Sequence, residues 1–579
     1  MRDEPGLPRL VYRDLDRLCR KYLEWVDPLQ HDNAARFKTR LAVEKFSAPG
    51  GTGSEAQKKL ERLMAAGDDF QRLIPYWNEW YLADRMSLPL FSNPFYLLDL
   101  PPAGQAAQAA RLVFSACSFY LSLEGGEMDP DLLKGDVLCM EQYRCMFGTA
   151  RSPRSGKDVF VGIRGMGRFA DPPRHIVVIN RGVYFRIEVI DESGRILAPE
   201  ILEHKFREIL RKNIFDLFPV GALTTLERDR WAKTRDLLLA TEPENGKALD
   251  EIESSIFTLS LDESAPKNRD EAARVLLHGD PRARWFDKAI QLIVCSNGVG
   301  GINFEHSHID GSPMSRLVRF LTGPIEDPAS ADFETTIQVL EFRLSDTIRE
   351  EINAACNEHK AIGQTNLIKS LDFEPFGKGM IKNLKFSPDA FIMVGLQLAQ
   401  QRTWGYCRSI FESVMLRSFF RGRTEAMRPI SRQSIDFVMA MDNKVISVSR
   451  KREALLEAGR EHVGRIRQCL YGEGVENHLQ ALLLLWKREY PEADVPDIFL
   501  DRAWHDLTNN VFSTSTTDVE GLELGGYGQP VPEGFTFRFL KKENFLRFFI
   551  SCKSDLQDEL DEFSLQVVRS LEDIKCILE

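Results

Sequence analysis

Apolar positions along the chain change their period several times. Leu10, Leu15, Leu18, Tyr22 and Trp25 recur at helical spacing and predict an amphipathic helix near the start. The run Ala48–Ser54, APGGTGS, interrupts it, and a polar helix is predicted from Glu55. His175–Ile190, HIVVINRGVYFRIEVI, holds two β-rich runs about an Asn-Arg-Gly turn and predicts a hairpin. Ala289–Phe304, AIQLIVCSNGVGGINF, predicts strand, Asn-Gly turn, strand. Helices are predicted over Pro199–Lys212, Glu227–Ala240, Asp389–Arg402 and, as one long stretch, Ser431–Ala458. Phe535–Leu540 and Phe545–Cys552 predict strands near the end.

These stretches mix without a regular strand–helix–strand alternation. That favours α/β or α+β layers on mixed sheets over a doubly wound parallel sheet. No GxGxxG follows a predicted strand and there is no Walker loop, so nucleotide-binding readings are weak. No short repeat is visible. At 579 residues the chain exceeds one packing unit, and 43% hydrophobic content supports large cores. A formal charge of -11 argues against a nucleic-acid partner. The ten cysteines form no CxxC pair and no zinc-spaced cluster, which suits reduced, buried thiols and no metal. No run approaches the roughly 20 apolar residues of a membrane helix, and no signal peptide precedes the first helix. The expectation is a cytoplasmic protein with no membrane span, or a catalytic domain cut from a longer chain.

Candidate chemistry centres on Gly301–Gly311, GINFEHSHIDG, directly after a predicted strand. Asp310 stands four residues after His306. If the segment turns helically, the carboxylate lies beside the imidazole and can fix its tautomer. By itself such a pair is more often a satisfied structural contact than a catalytic one. His308 competes for the role, but two histidines at i, i+2 with no third ligand make a poor metal site.

The longer stretch Trp285–Leu321, WFDKAIQLIVCSNGVGGINFEHSHIDGSPMSRLVRFL, resembles the active-site segment of carnitine and choline acyltransferases. There WFDK, a strand pair and E-H-[SA]-x-x-[DE]-[GA] occur in order. The likeness continues through LPRL at Leu7, KYLEWVDPL at Lys21, FGTAR at Phe147, the hairpin at His175 and GALTTLERDRWA at Gly221. It implies an α/β fold of two similar chloramphenicol-acetyltransferase-like domains with mixed sheets and an active-site tunnel between them. One domain would span 67–345 and carry the histidine; the other, 1–66 plus 346–579, would bind thioester and acceptor. His306 would be the general base and Asp310 its acidic partner. No permanently bound cofactor is implied.

The same resemblance assigns further sites. Phe376–Phe391, FGKGMIKNLKFSPDAF, is similar to the family's coenzyme A loop, with Lys378 and Lys382 meeting a phosphate and Ser387 and Asp389 lining the pantetheine channel. Phe512–Thr517, FSTSTT, places Ser515 at the developing oxyanion, with Ser513 alongside. In GGYG, Gly525 stands where acetyl-transferring members carry a bulky Met; an open tunnel for a medium or long acyl chain is expected there, with Tyr527 in the same pocket.

The acceptor region departs from the pattern. FESVMLRSFFRGRTEAMR is similar to YESxSxRxFxxGRTExIR, but Phe411 replaces the tyrosine, and Asn477 stands where the carboxylate-pairing arginine belongs. Thr424 and Tyr81 are kept. Losing an Arg–carboxylate pair weakens the case for carnitine. Some fungal highly reducing polyketide synthases end in a domain resembling this family, which releases the chain onto an alcohol or polyol. The expectation is therefore an O-acyltransferase using acyl-CoA, or acyl-phosphopantetheine on an acyl carrier protein, with a polyol preferred over carnitine or choline as acceptor. A non-catalytic acyl-thioester-binding protein is the rival, and it would be expected to have lost His306, Asp310 or Ser515.

Overall fold

The computed structural model describes residues 6–12, 14–30, 32–65, 80–162, 172–324 and 330–579. The expected boundary at 66–67 lies outside them.

Fourteen strands build the two large sheets: β1 Phe95–Leu98, β2 His175–Asn180, β3 Val183–Glu188, β4 Thr258–Asp262, β5 Ile290–Cys295, β6 Gly300–Phe304, β7 Gln338–Leu340, β8 Asn366–Phe373, β9 Ile410–Met415, β10 Thr424–Met427, β11 Phe512–Thr516, β12 Leu522–Gly526, β13 Phe535–Lys541 and β14 Leu546–Lys553. The first sheet has the order β7-β3-β2-β4-β5-β6-β1-β12, the second β8-β14-β13-β11-β9-β10. Both are mixed: β4 runs parallel to β2 and β5, and β11 runs parallel to β9 and β13, while the hairpins are antiparallel.

Local chemistry explains the turns. In the β2–β3 hairpin Asn180 pairs with Val183, so Arg181-Gly182 is the whole loop, and both take positive φ (50° and 82°). That is the hairpin turn whose twist matches the strands. The β5–β6 hairpin forms about Asn297-Gly298 as its sequence predicts, with Gly298 at φ 84°.

The long helix expected over 431–458 is two helices, Arg432–Met441 and Val448–Leu470. Between them the Asn443 side chain accepts from the Val445 N–H, and the Ser447 side chain accepts from the Arg450 N–H to start the second helix. Local polar bonds thus outcompete the helical ladder there. At the start of the chain Leu10 lies outside the helix Leu15–Val26, because Asp14 caps it by accepting from the Arg17 N–H.

Each sheet has its own core. The helix Gln105–Glu124 packs Leu112, Val113, Phe114 and Phe119 into the core of the first sheet, with Val178, Leu259, Leu292 and Ile302. The second core gathers Phe391, Phe437, Phe512, Phe535, Phe548 and Phe563, and takes in Tyr22, Trp25, Phe46 and Leu60 from the N-terminal helices. The two halves are laced together: β12, encoded among the strands of the second sheet, pairs antiparallel with β1 at the edge of the first, Tyr96 opposite Gly525 and Phe95 opposite Gly526.

Candidate active site

A cavity of about 1290 Å³ lies where the sheets meet. His306, Asp310, Tyr81, Phe411, Thr424, Asn477, Ser513, Ser515 and Tyr527 all line it. His306 and Ser515 are brought together from opposite sheets: the first follows β6, the second sits near the end of β11.

The segment from Glu305 to Asp310 does not turn helically; Asp310 is the extended N-cap residue of the helix Gly311–Thr322. The expected contact therefore changes. His306 Nδ1 lies 2.6 Å from the Ile309 carbonyl but 3.9 Å from Asp310 Oδ1. A carbonyl only accepts, so Nδ1 carries the proton and Nε2 is the basic nitrogen. The tautomer is set by the backbone, not by Asp310. The ring keeps 30% of its side-chain surface exposed. Burial lowers its pKa below the usual histidine value, and the charge of Asp310 does not offset this.

Asp310 is held from the other side. Arg423 donates Nη2 to Oδ1 at 2.7 Å and Nε to Oδ2 at 3.2 Å. Gln142 donates Nε2 to Oδ2 at 2.8 Å and accepts from the Asp310 N–H through Oε1, also at 2.8 Å. Burial alone would raise this carboxyl, but the Arg423 guanidinium outweighs it and holds it below the ordinary range. Arg423 also donates to the carbonyls of Ser307 and His306 and lies over the Tyr81 ring. It thus fixes both ends of the histidine loop. His308 is turned away, stacked on Phe160 at 3.9 Å between centroids and bonded to the Ser307 hydroxyl.

Beneath the loop lies a buried ionic platform. Ser307 donates to Glu305, which meets Arg151; Arg151 and Arg228 share Asp158; Arg228 and the Trp231 N–H both bind Asp287. Apart from Asp158, these residues come from the motifs FGTAR, GALTTLERDRWA, WFDK and EHSHIDG, which are far apart in sequence. Arg151 also donates to the Tyr81 and Asp84 carbonyls, which fixes the segment carrying Tyr81.

On the other wall Ser513 meets the Tyr527 hydroxyl at 3.0 Å, and Thr514 donates to the Phe411 carbonyl. Asn477 donates Nδ2 to the Thr424 carbonyl at 2.8 Å, and its own N–H is accepted by Glu425. One donor of the Asn477 amide is therefore engaged with the backbone. Among the coenzyme A candidates, Lys378 opens the helix Lys378–Asn383 and pairs with Asp518 of the cavity wall at 3.0 Å. Lys382, one turn on, is exposed. Ser387 caps the helix Pro388–Trp404 and Asp389 pairs with Lys541 at 2.5 Å; neither joins the cavity wall.

Gly525 does not border open space. A Cβ built there would stand 2.2 Å from Arg538 Nη1 and 2.9 Å from Tyr96 Cδ1. The room expected for an acyl tunnel is filled by the Arg538 side chain, so the glycine gives no independent sign of a medium or long chain. Arg423, Gln142 and Arg538 were missed by the sequence reading. Arg423 stood in the quoted GRTE run, and Arg538 in FTFRFLK, a charge inside a strand buried on both faces; Gln142 left no local signal.

The chain is an acyltransferase. It belongs to the choline/carnitine O-acyltransferase family, whose model matches residues 13–569. Carnitine O-palmitoyltransferase 2, mitochondrial, of Homo sapiens is 28% identical over 629 aligned residues, covering 100% of this chain and 93% of that protein. Carnitine O-acetyltransferase of Homo sapiens is 28% identical over 597, covering 100% and 94%. Among solved structures, TRI3 trichothecene 15-O-acetyltransferase from Fusarium sporotrichioides aligns at a TM-score of 0.36 and 10% identity, covering 86% of this chain and 93% of that one. No helix among the described residues is long and apolar enough to cross a membrane.

Proposed function

We propose that this enzyme moves an acyl group from a coenzyme A thioester to the hydroxyl of an acceptor that carries no carboxylate, a polyol in preference to carnitine or choline. The observation that carries the acyl-transfer step is the Nδ1–Ile309 bond, which leaves Nε2 of a cavity-lining imidazole as a base. In this reading Nε2 takes the acceptor hydroxyl proton as its oxygen attacks the thioester carbon. The carbonyl oxygen becomes an oxyanion that the Ser515 hydroxyl stabilises. Collapse breaks the carbon–sulfur bond, and the imidazolium returns the proton to the thiolate. Ester and free thiol leave, with both substrates served by one base. Burial favours the neutral ring, the form that accepts a proton.

The acceptor preference rests on the wall of Phe411, Thr424 and Asn477, where an amide engaged with the backbone stands at the position the family pattern gives to an arginine. Lys378 and Lys382 support coenzyme A as donor; a carrier-borne phosphopantetheine would present the same thioester without the nucleotide phosphate. The same reading assigns 67–345 and 1–66 plus 346–579 as the two domains. It also assigns a reducing, cytoplasmic setting, consistent with ten cysteines that all stand free.

The test is thiol release from acyl-CoA with glycerol, carnitine and choline offered in turn. Glycerol is expected to serve best, and His306→Ala to lose about 10²–10⁴-fold in rate. Carnitine as the best acceptor would overturn the preference. Asn477→Arg with Phe411→Tyr is expected to improve carnitine use; no gain would mean that this wall does not bind the acceptor.

A further inference from the structure

Most fully buried guanidiniums among the described residues are paired. Arg151, Arg228, Arg284, Arg417, Arg423 and Arg428 each meet a carboxylate. Arg538 breaks the rule. It is 3% exposed, its Nε and Nη2 have no hydrogen-bond partner, and no ion pair reaches it from the described residues. Its guanidinium lies 4.4 Å from the centroid of the Tyr96 ring. A ring face offsets part of the cost of burying the charge but accepts no directed hydrogen bond. A buried cation without an anion is strongly disfavoured, so a site that keeps one is built to receive an anion.

Its position says where that anion would come from. Arg538 is registered against Ser515 across the parallel β11–β13 pair, so both side chains stand on one face, on neighbouring strands about 4.8 Å apart. Ser515 and Tyr527 line the cavity, and Gly525, two residues before Tyr527, gives the guanidinium its space. We infer that Arg538 makes the acyl subsite selective for acyl groups bearing a second carboxylate a few bonds from the thioester, such as a monothioester of a short dicarboxylic acid. The planar fork of a guanidinium binds a carboxylate through two parallel hydrogen bonds, and a methyl terminus would leave those donors unmet. This inference rests on the acyl-transfer reading and names the substrate class for it.

The test is calorimetric binding of glutaryl-CoA and hexanoyl-CoA to the full chain. The wild type is expected to bind glutaryl-CoA at least tenfold more tightly, and capping the free carboxylate as its methyl ester to remove that advantage. Arg538→Met is expected to lose tenfold or more for glutaryl-CoA while binding hexanoyl-CoA no worse; Arg538→Lys should fall between. The methyl-ester comparison needs only the wild type, so it decides the matter even where the Met variant does not fold. Equal or tighter binding of hexanoyl-CoA, with the ester matching the acid, would overturn the inference. Failure of the underlying reading looks different: both thioesters would then bind no better than free coenzyme A, and neither would release thiol with any acceptor.

Discussion

At the scale of single residues, the His306 imidazole owes its tautomer to a backbone carbonyl. Because burial holds the ring below its usual pKa, the neutral base persists into mild acid. The acid limb of kcat/KM, which reports the free enzyme, should therefore fall below pH 6.5, and activity should disappear as pH drops through that limb. A limb above 6.5 in a pH–rate profile would contradict the burial argument. Asp310 is held by Arg423 and stands 3.9 Å from the ring. Asp310→Asn removes one partner of a buried ion pair, so a loss of about 3–5 kcal/mol in denaturant unfolding is expected alongside reduced, not abolished, turnover. A stable variant with dead chemistry would return Asp310 to a direct role. His306 and Ser515, which line one cavity, could be picked out as candidates from the sequence because each lies in a short polar run. Gln142 was not, since it bonds a residue 168 positions away and no local pattern marks such a contact.

At the scale of elements, hairpins and caps followed their turn residues closely. The division of the 431–458 stretch was missed because apolar periodicity runs through it while two side chains quietly bond the backbone. A sharper consequence concerns β10. Its Glu425 accepts from the first turn of the helix Glu476–Glu489, yet burial first, and the neighbouring Glu476 charge next, push its carboxyl up to about 8. The folded state then holds a proton that the unfolded chain gives up near pH 4.5, so this group costs stability as pH rises between those values. Glu425→Gln keeps an acceptor for Asn477 and removes the titration. The unfolding free energy of the variant relative to wild type should climb with pH over pH 5–8, by at most about 1.4 kcal/mol per unit. A difference flat across that range in denaturant melts would place the proton elsewhere.

At the scale of the whole molecule, the two mixed sheets were implied by the likeness to a known family, whereas β12 crossing from one to the other was not. Composition and periodicity describe a strand but not which sheet it joins. Because β12 completes the edge of the first sheet, the halves should melt together, in one calorimetric transition with matching calorimetric and van't Hoff enthalpies. Two resolved transitions would show the seam to be weak.

That crossing strand also limits how substrates come and go. A clamshell opens by parting its shells, but here four residues of one shell are paired into the rim of the other, so gaping would tear a ladder. Cargo has to reach the cavity while this edge stays closed.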